Sequence, residues 1–92
     1  MGDNRRTGQL KGPFIANEEL VTKIGMDADF TNFYIRQLGI QTDVGNLVSI
    51  DGDIREIGKT GIYEIGNTKI DSLFFIQDTD ENSIIDYVIQ DT

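Results

Sequence analysis

With 92 residues, the chain is long enough for one domain with one hydrophobic core. Sixteen acidic residues against eight basic ones give a net charge of −8, which argues against binding to nucleic acid or to an anionic membrane. Cysteine and histidine are absent, which excludes disulfides and zinc–thiolate sites and removes the usual general base. No apolar run approaches the roughly 20 residues that span a bilayer, so we expect no membrane insertion.

Residues 1–12 are polar, contain glycine and show no apolar periodicity. We interpret them as a flexible N-terminal arm or an added leader, and we expect a single β domain over residues 13–92. At most one short helix is predicted, near residues 17–24. Asn17 suits its N-cap and Gly25 its end, although an extended segment fits the same residues.

The rest of the chain consists of short runs rich in β-branched and aromatic residues, separated by Gly, Asn and Asp. These runs predict strands at residues 32–38, 46–50, 53–57, 61–65, 68–76 and 83–89. The dipeptides Asp51-Gly52 and Gly66-Asn67 each separate two of the predicted strands, so two hairpins are predicted. Six to eight short strands at this spacing predict an all-β fold, either an antiparallel β-sandwich or a small barrel.

Neither face of the predicted strands at 68–76 and 83–89 is purely polar. Both faces therefore need cover, from a second sheet on one side and from a loop or a neighbouring subunit on the other. On this ground Leu73, Phe75 and Tyr87 are interface candidates, and Tyr63 of the strand predicted at 61–65 is a further one. The alternative is that these residues form the core of an ordinary two-sided sandwich.

Two kinds of acidic site are considered. Carboxylates on predicted strands that could pair as in a glycosidase are Glu56, Glu64, Asp71 and Asp86. The chain has no tryptophan platform and little room for a cleft, so we expect no catalytic residues and keep a hydrolase as the weakest hypothesis. Asp78 and Asp80 are weak calcium candidates, because their loop lacks the glycine and the closing glutamate of a calcium-loop signature. We predict no metal site and no cofactor.

Several segments between about residues 30 and 90 carry a family resemblance. They are Phe33–Thr42, Val48–Gly52, Gly58–Glu64, Lys69–Phe75 and Ile84–Tyr87. Together they resemble a β-rich structural domain of tail and baseplate proteins from phages of Gram-positive bacteria. The resemblance implies a structural or appendage module that serves virion assembly or host attachment, and it implies no catalytic residues.

From these observations we expect a phage virion structural module that acts through assembly, located in the virion and not an enzyme. Its expected partners are further copies of itself, in a homo-oligomer, and other virion proteins. The alternative is a carbohydrate- or receptor-binding module for host attachment, whose partner would be a glycan of the host surface. Multiple copies would give such a module its attachment strength without a deep pocket.

Overall fold

The computed structural model describes residues 4–58 and 62–91, and this part of the chain forms one helix and seven strands. In chain order the elements are β1 (Arg5–Lys11), α1 (Leu20–Ala28), β2 (Phe33–Gln41), β3 (Leu47–Ile50), β4 (Asp53–Glu56), β5 (Ile62–Thr68), β6 (Leu73–Phe75) and β7 (Ile84–Asp91). The predicted all-β class with six to eight strands is confirmed. None of the described residues form a helix long and apolar enough to cross a membrane.

The strands form two antiparallel sheets, one of four strands in the order β1-β7-β2-β5 and one of three in the order β4-β3-β6. One face of the four-stranded sheet supplies buried residues such as Ile85 and Ile89 of β7. Ile24 of α1 and Leu73 of β6 belong to the same core, so the helix and the smaller sheet share it with this face. The opposite face of the four-stranded sheet is open to solvent at Asp86.

The helix begins and ends later than the sequence predicts. Asn17 has a positive φ of 64° and precedes the helix by three residues, while the N-cap is Glu19, whose carboxylate accepts a hydrogen bond from the Val21 amide at 3.2 Å. Gly25 lies inside the helix, where a side chain would crowd the Phe30 carbonyl and the Phe33 ring. The helix ends at Ala28, and the C-cap Asp29 has left-handed backbone angles.

The prediction of a flexible arm is wrong for residues 5–11, because they form strand β1. This strand pairs with β7 along its whole length, from Arg5 opposite Gln90 to Lys11 opposite Ile84. Leu10 is the one large apolar residue in this strand and packs against the core, so the strand is held mainly by its backbone ladder with β7. Residues 1–3 lie outside the described residues.

The first predicted hairpin is confirmed and the second is wrong. Asp51 and Gly52 have φ values of 49° and 88°, as a type I′ turn requires, and join Ile50 to its partner Asp53. Gly66-Asn67 instead lies within β5. The Arg36 carbonyl of β2 lies within 2.9 Å of where a Cβ on Gly66 would be, so the glycine serves a close backbone approach.

The remaining predicted strands differ mainly in length. The strand predicted at 32–38 continues to Gln41, and the one predicted at 83–89 continues to Asp91. The long strand predicted at 68–76 is reduced to Leu73–Phe75, which pairs with β3 in the smaller sheet and not with β5.

Candidate functional site

The predicted interface residues are in the core of the single chain. Leu73, Phe75 and Tyr87 are at most 2% exposed, so the interface prediction is wrong for these three and the sandwich-core alternative describes them. The Phe75 ring stacks on that of Phe14 at 5.6 Å between ring centres. The phenol of Tyr87 donates a hydrogen bond to the carboxylate of Asp27. The side chain of Tyr63 lies outside the described part of the structure.

The calcium candidates Asp78 and Asp80 accept hydrogen bonds from backbone amides. Asp78 accepts a hydrogen bond from the Ala16 amide at 2.8 Å, and Asp80 accepts one from the Asn82 amide at 3.0 Å. Asp43 lies beside Asp80, whose carboxylate raises the pKa of Asp43 above its ordinary value of 3.8 through a hydrogen bond and charge repulsion. Among the residues that the structure describes, no three acidic side chains are grouped closely enough to hold a metal ion.

Two of the four strand carboxylates come together on the open face of the larger sheet. Gly39 of β2 lies opposite Glu64 of β5 on one side and opposite Asp86 of β7 on the other. Two strand spacings separate the two acids, which puts their Cα atoms about 10 Å apart. Glu56 lies in the other sheet, and Asp71 lies between β5 and β6, so neither joins this pair.

A shallow groove of about 300 Å³ lies over Gly39. We call it the Gly39 groove, and it is lined by Thr7, Gly8, Gln37, Gly39, Glu64, Asp86, Tyr87 and Val88. The Gln9 amide donates to the Asp86 carboxylate at 2.7 Å and fixes that wall of the groove. No heavy atom lies within 4 Å of where a Cβ on Gly39 would be, so the glycine leaves the floor open.

The groove is better suited to binding hydroxyl groups than to acid–base catalysis. Carboxylates accept hydrogen bonds from hydroxyls, and the amide of Gln37 both donates and accepts them. Glu64 and Asp86 are both exposed to solvent, without the apolar enclosure that surrounds the acid catalyst of a glycosidase. Strand alternation alone did not reveal the pairing of these two acids, because it depends on which strands are neighbours.

The second candidate surface is the outer edge of β4. All four residues of this strand are exposed, and Ile54 keeps 61% of its surface in contact with solvent. On its inner side β4 pairs with β3, while no strand within residues 4–58 and 62–91 pairs with its outer side. An unpaired strand edge is a site at which another chain can add a strand.

The comparisons with known proteins identify no relative: no family model, no curated protein and no solved structure matches this chain. Function is therefore argued from the two surfaces, the β4 edge and the Gly39 groove, together with the resemblance carried by the sequence.

Proposed function

We propose that this chain is a structural module of a phage virion, in the tail, the baseplate or a related appendage, and that it acts by assembly with further protein copies. The observation that carries the assembly role is the exposed outer edge of β4, which offers unpaired backbone groups on a stable hairpin. The resemblance of residues 30–90 to tail and baseplate domains supports the location in the virion.

The rest of the surface is consistent with a stable, soluble building block. Leu73, Phe75, Ile85 and Ile89 of β6 and β7 are in the core, and the net charge of −8 disfavours indiscriminate association. A module of this kind gains strength from the number of copies engaged at once, so each single contact can be small.

The location is tested by the reading frames that flank the gene and by immunogold labelling of purified virions. We expect neighbouring tail or baseplate genes and gold particles at one place on the tail. Flanking genes of metabolism only, together with unlabelled virions, would contradict the proposal.

A second candidate function is the binding of a host-surface saccharide, and the Gly39 groove favours it. Its acids and amides present several acceptors and donors side by side, as recognition of a sugar's hydroxyls requires, and half-buried Val88 adds an apolar contact. Attachment to a repetitive cell wall also suits a module present in many copies.

Saccharide binding is tested on an array of cell-wall glycans from Gram-positive bacteria. We expect native protein to bind and Glu64→Gln or Asp86→Asn to bind at least several-fold more weakly. Asp71→Asn removes an exposed acid outside the groove and serves as the matched control. A silent array would exclude this function, and equal binding by all four proteins would exclude the Gly39 groove as its site. Turnover of a glycan that both groove variants abolish would instead support the hydrolase hypothesis.

A further inference from the structure

We infer that β4 pairs with the β4 strand of a second copy of this chain, antiparallel and with Ile54 of one copy opposite Ile54 of the other. The inference rests on the assembly role in the proposed function and specifies its partner and its register. Three independent features of the strand lead to it: the direction of its free backbone groups, the alternation of its charges and the exposure of its central side chain.

The backbone groups of Ile54 point away from β3. The amide of Ile57 donates to the carbonyl of Asn46 at 2.8 Å, so the backbone groups of Ile57 face the β3 side of the hairpin. Along an antiparallel strand, residues whose backbone groups face one neighbour alternate with residues whose groups face away from it. Arg55 and Asp53 therefore bond to β3, while the N–H and C=O groups of Ile54 and Glu56 face the free edge. A second strand centred on Ile54 meets these groups directly.

The charges of β4 complement themselves in this register. Asp53 and Arg55 lie on the same face of the strand, and their side chains already approach each other at 3.8 Å within one chain. When Ile54 lies opposite the partner's Ile54, Asp53 lies opposite the partner's Arg55, and Arg55 lies opposite the partner's Asp53. Two ion pairs then form on one face of the joined strands, and the two exposed isoleucines meet on the other.

A shift by one residue removes both advantages. Pairing Ile54 with the partner's Arg55 places Asp53 opposite the partner's Glu56, so that like charges face each other. The same shift sets the outward backbone groups of one strand against inward groups of the other. The register centred on Ile54 is therefore selected by backbone and side chains together. It is also two-fold symmetric, as the commonest homodimers are.

A pair of four-residue strands buries less surface than a standard protein–protein interface. We therefore expect a weak dimer in dilute solution, with association visible at the high-micromolar to millimolar concentrations used in NMR spectroscopy. In a virion, where copies are held near one another, the same contact is strengthened by the high local concentration.

The first test is a dilution series of ¹⁵N-labelled full chain followed by amide chemical shifts. We expect concentration-dependent shifts centred on residues 52–56, and in a mixture of ¹³C-labelled and unlabelled chains we expect intermolecular contacts between the two Ile54 side chains. Shifts that are absent, or that lie elsewhere on the chain, would overturn the inference.

The charge pattern gives a sharper test. Arg55→Asp makes residues 53 and 55 both acidic, and Asp53→Arg makes both basic, so each variant alone should lose association at every concentration. An equimolar mixture of the two variants places acid opposite base at all four positions and should recover association at least to the native level. A mixture that stays monomeric would overturn the proposed register.

Ile54→Pro tests the backbone contribution separately. Its amide faces the free edge, so proline removes an intermolecular donor while leaving the bonds to β3 in place. Retained β3 amide signals would show that the hairpin is folded, and association should be lost. Met26→Asp alters an exposed apolar residue on helix α1 and should leave association unchanged.

The outcomes also separate this inference from the function on which it rests. Association that maps to another surface overturns the β4 register while leaving an assembly module. If the chain associates through β4 but its gene has no viral neighbours, the register is supported and the proposed location in a virion is contradicted.

Discussion

The ring of Tyr87 lies over Gly8, the residue directly opposite it on strand β1. A Cβ on Gly8 would overlap the phenol of Tyr87, so the glycine provides the space in which the ring lies. From this position the hydroxyl reaches the Asp27 carboxylate on helix α1. The absence of a side chain at Gly8, on an edge strand, thus allows the hydrogen bond between Tyr87 of the larger sheet and Asp27 of the helix.

We predict that Gly8→Ala destabilises the fold by about 1–3 kcal/mol, because the added methyl group displaces the buried ring. Urea unfolding measures the change. Gly39→Ala is the matched control: no heavy atom lies within 4 Å of its added methyl group, so we expect it to be neutral or to stabilise the strand by up to about 1 kcal/mol. Equal losses in the two variants would contradict the role assigned to Gly8.

The phenol of Tyr87 should lose its proton at a higher pH than an ordinary tyrosine does. Burial of the ring, the hydrogen bond to Asp27 and the charge of Asp27 raise the pKa of Tyr87 to about 12, against a smaller lowering by Arg6. We expect an ultraviolet absorbance step near pH 12 that Tyr87→Phe removes. Asp27→Asn should lower the pKa of Tyr87 but leave it above 10, because burial remains.

The raised pKa of Tyr87 also has a consequence for stability. The folded chain holds this proton more tightly than the unfolded chain, so the corresponding stability is fully present below pH 10 and is lost as the pH rises towards 12. Native protein should therefore lose more stability over that interval than Tyr87→Phe does. Parallel losses in the two proteins would show that the tyrosine is not responsible.

The contribution of Asp43 to stability should be less favourable at neutral pH than in mild acid. Because the pKa of Asp43 is raised above 3.8, the folded state binds its proton more tightly, and stability from this group falls as the pH rises through the raised pKa. We expect Asp43→Asn to raise the Tm at pH 7 and to lose that gain below pH 3.8. Asp71→Asn makes the same change in net charge and serves as the control.

Glu19 should be costly to remove, because its carboxylate joins helix α1 to strand β6. Its carboxylate accepts hydrogen bonds from the Ser72 hydroxyl and the Leu73 amide, both at 2.7 Å, in addition to capping α1 at Val21. We expect Glu19→Ala to cost about 2 kcal/mol in urea unfolding, since charged acceptors contribute more than neutral ones.

Glu18→Ala controls for the loss of a neighbouring acid. Glu18 forms only a half-exposed ion pair with Lys23, which is worth less than about 0.5 kcal/mol. A loss at Glu18 as large as that at Glu19 would mean that the bonds to Ser72 and Leu73 contribute little.

Short sequence motifs predicted the elements whose conformation is set by adjacent residues. The Asp51-Gly52 turn was predictable because positive φ at two successive residues suits few other dipeptides. Strand β1 was not, since its order depends on pairing with β7, some 80 residues away along the chain. Gly66-Asn67 resembled a turn, but its glycine accommodates the close approach of the Arg36 carbonyl in another strand.

The candidate surfaces were likewise predictable only where adjacent residues determine them. Apolar residues on both faces of a strand require cover, but their pattern cannot distinguish cover by the same chain from cover by a second one, and Leu73 and Phe75 are covered from within. The approach of Glu64 and Asp86 depends on both lying next to β2, which only the sheet order reveals. The self-complementary charges of β4, by contrast, are readable once its free edge is known.

The pairing of the first strand with the last brings the two ends of the described chain together. The carbonyl of Asn4 accepts a hydrogen bond from the amide of Asp91 at 2.9 Å. A unit whose two ends lie side by side can be inserted into a surface loop of a larger protein, or repeated in tandem, without disrupting the pairing of either terminal strand. Such a graft would leave the β3–β4 hairpin, which belongs to the other sheet, free to meet its neighbours.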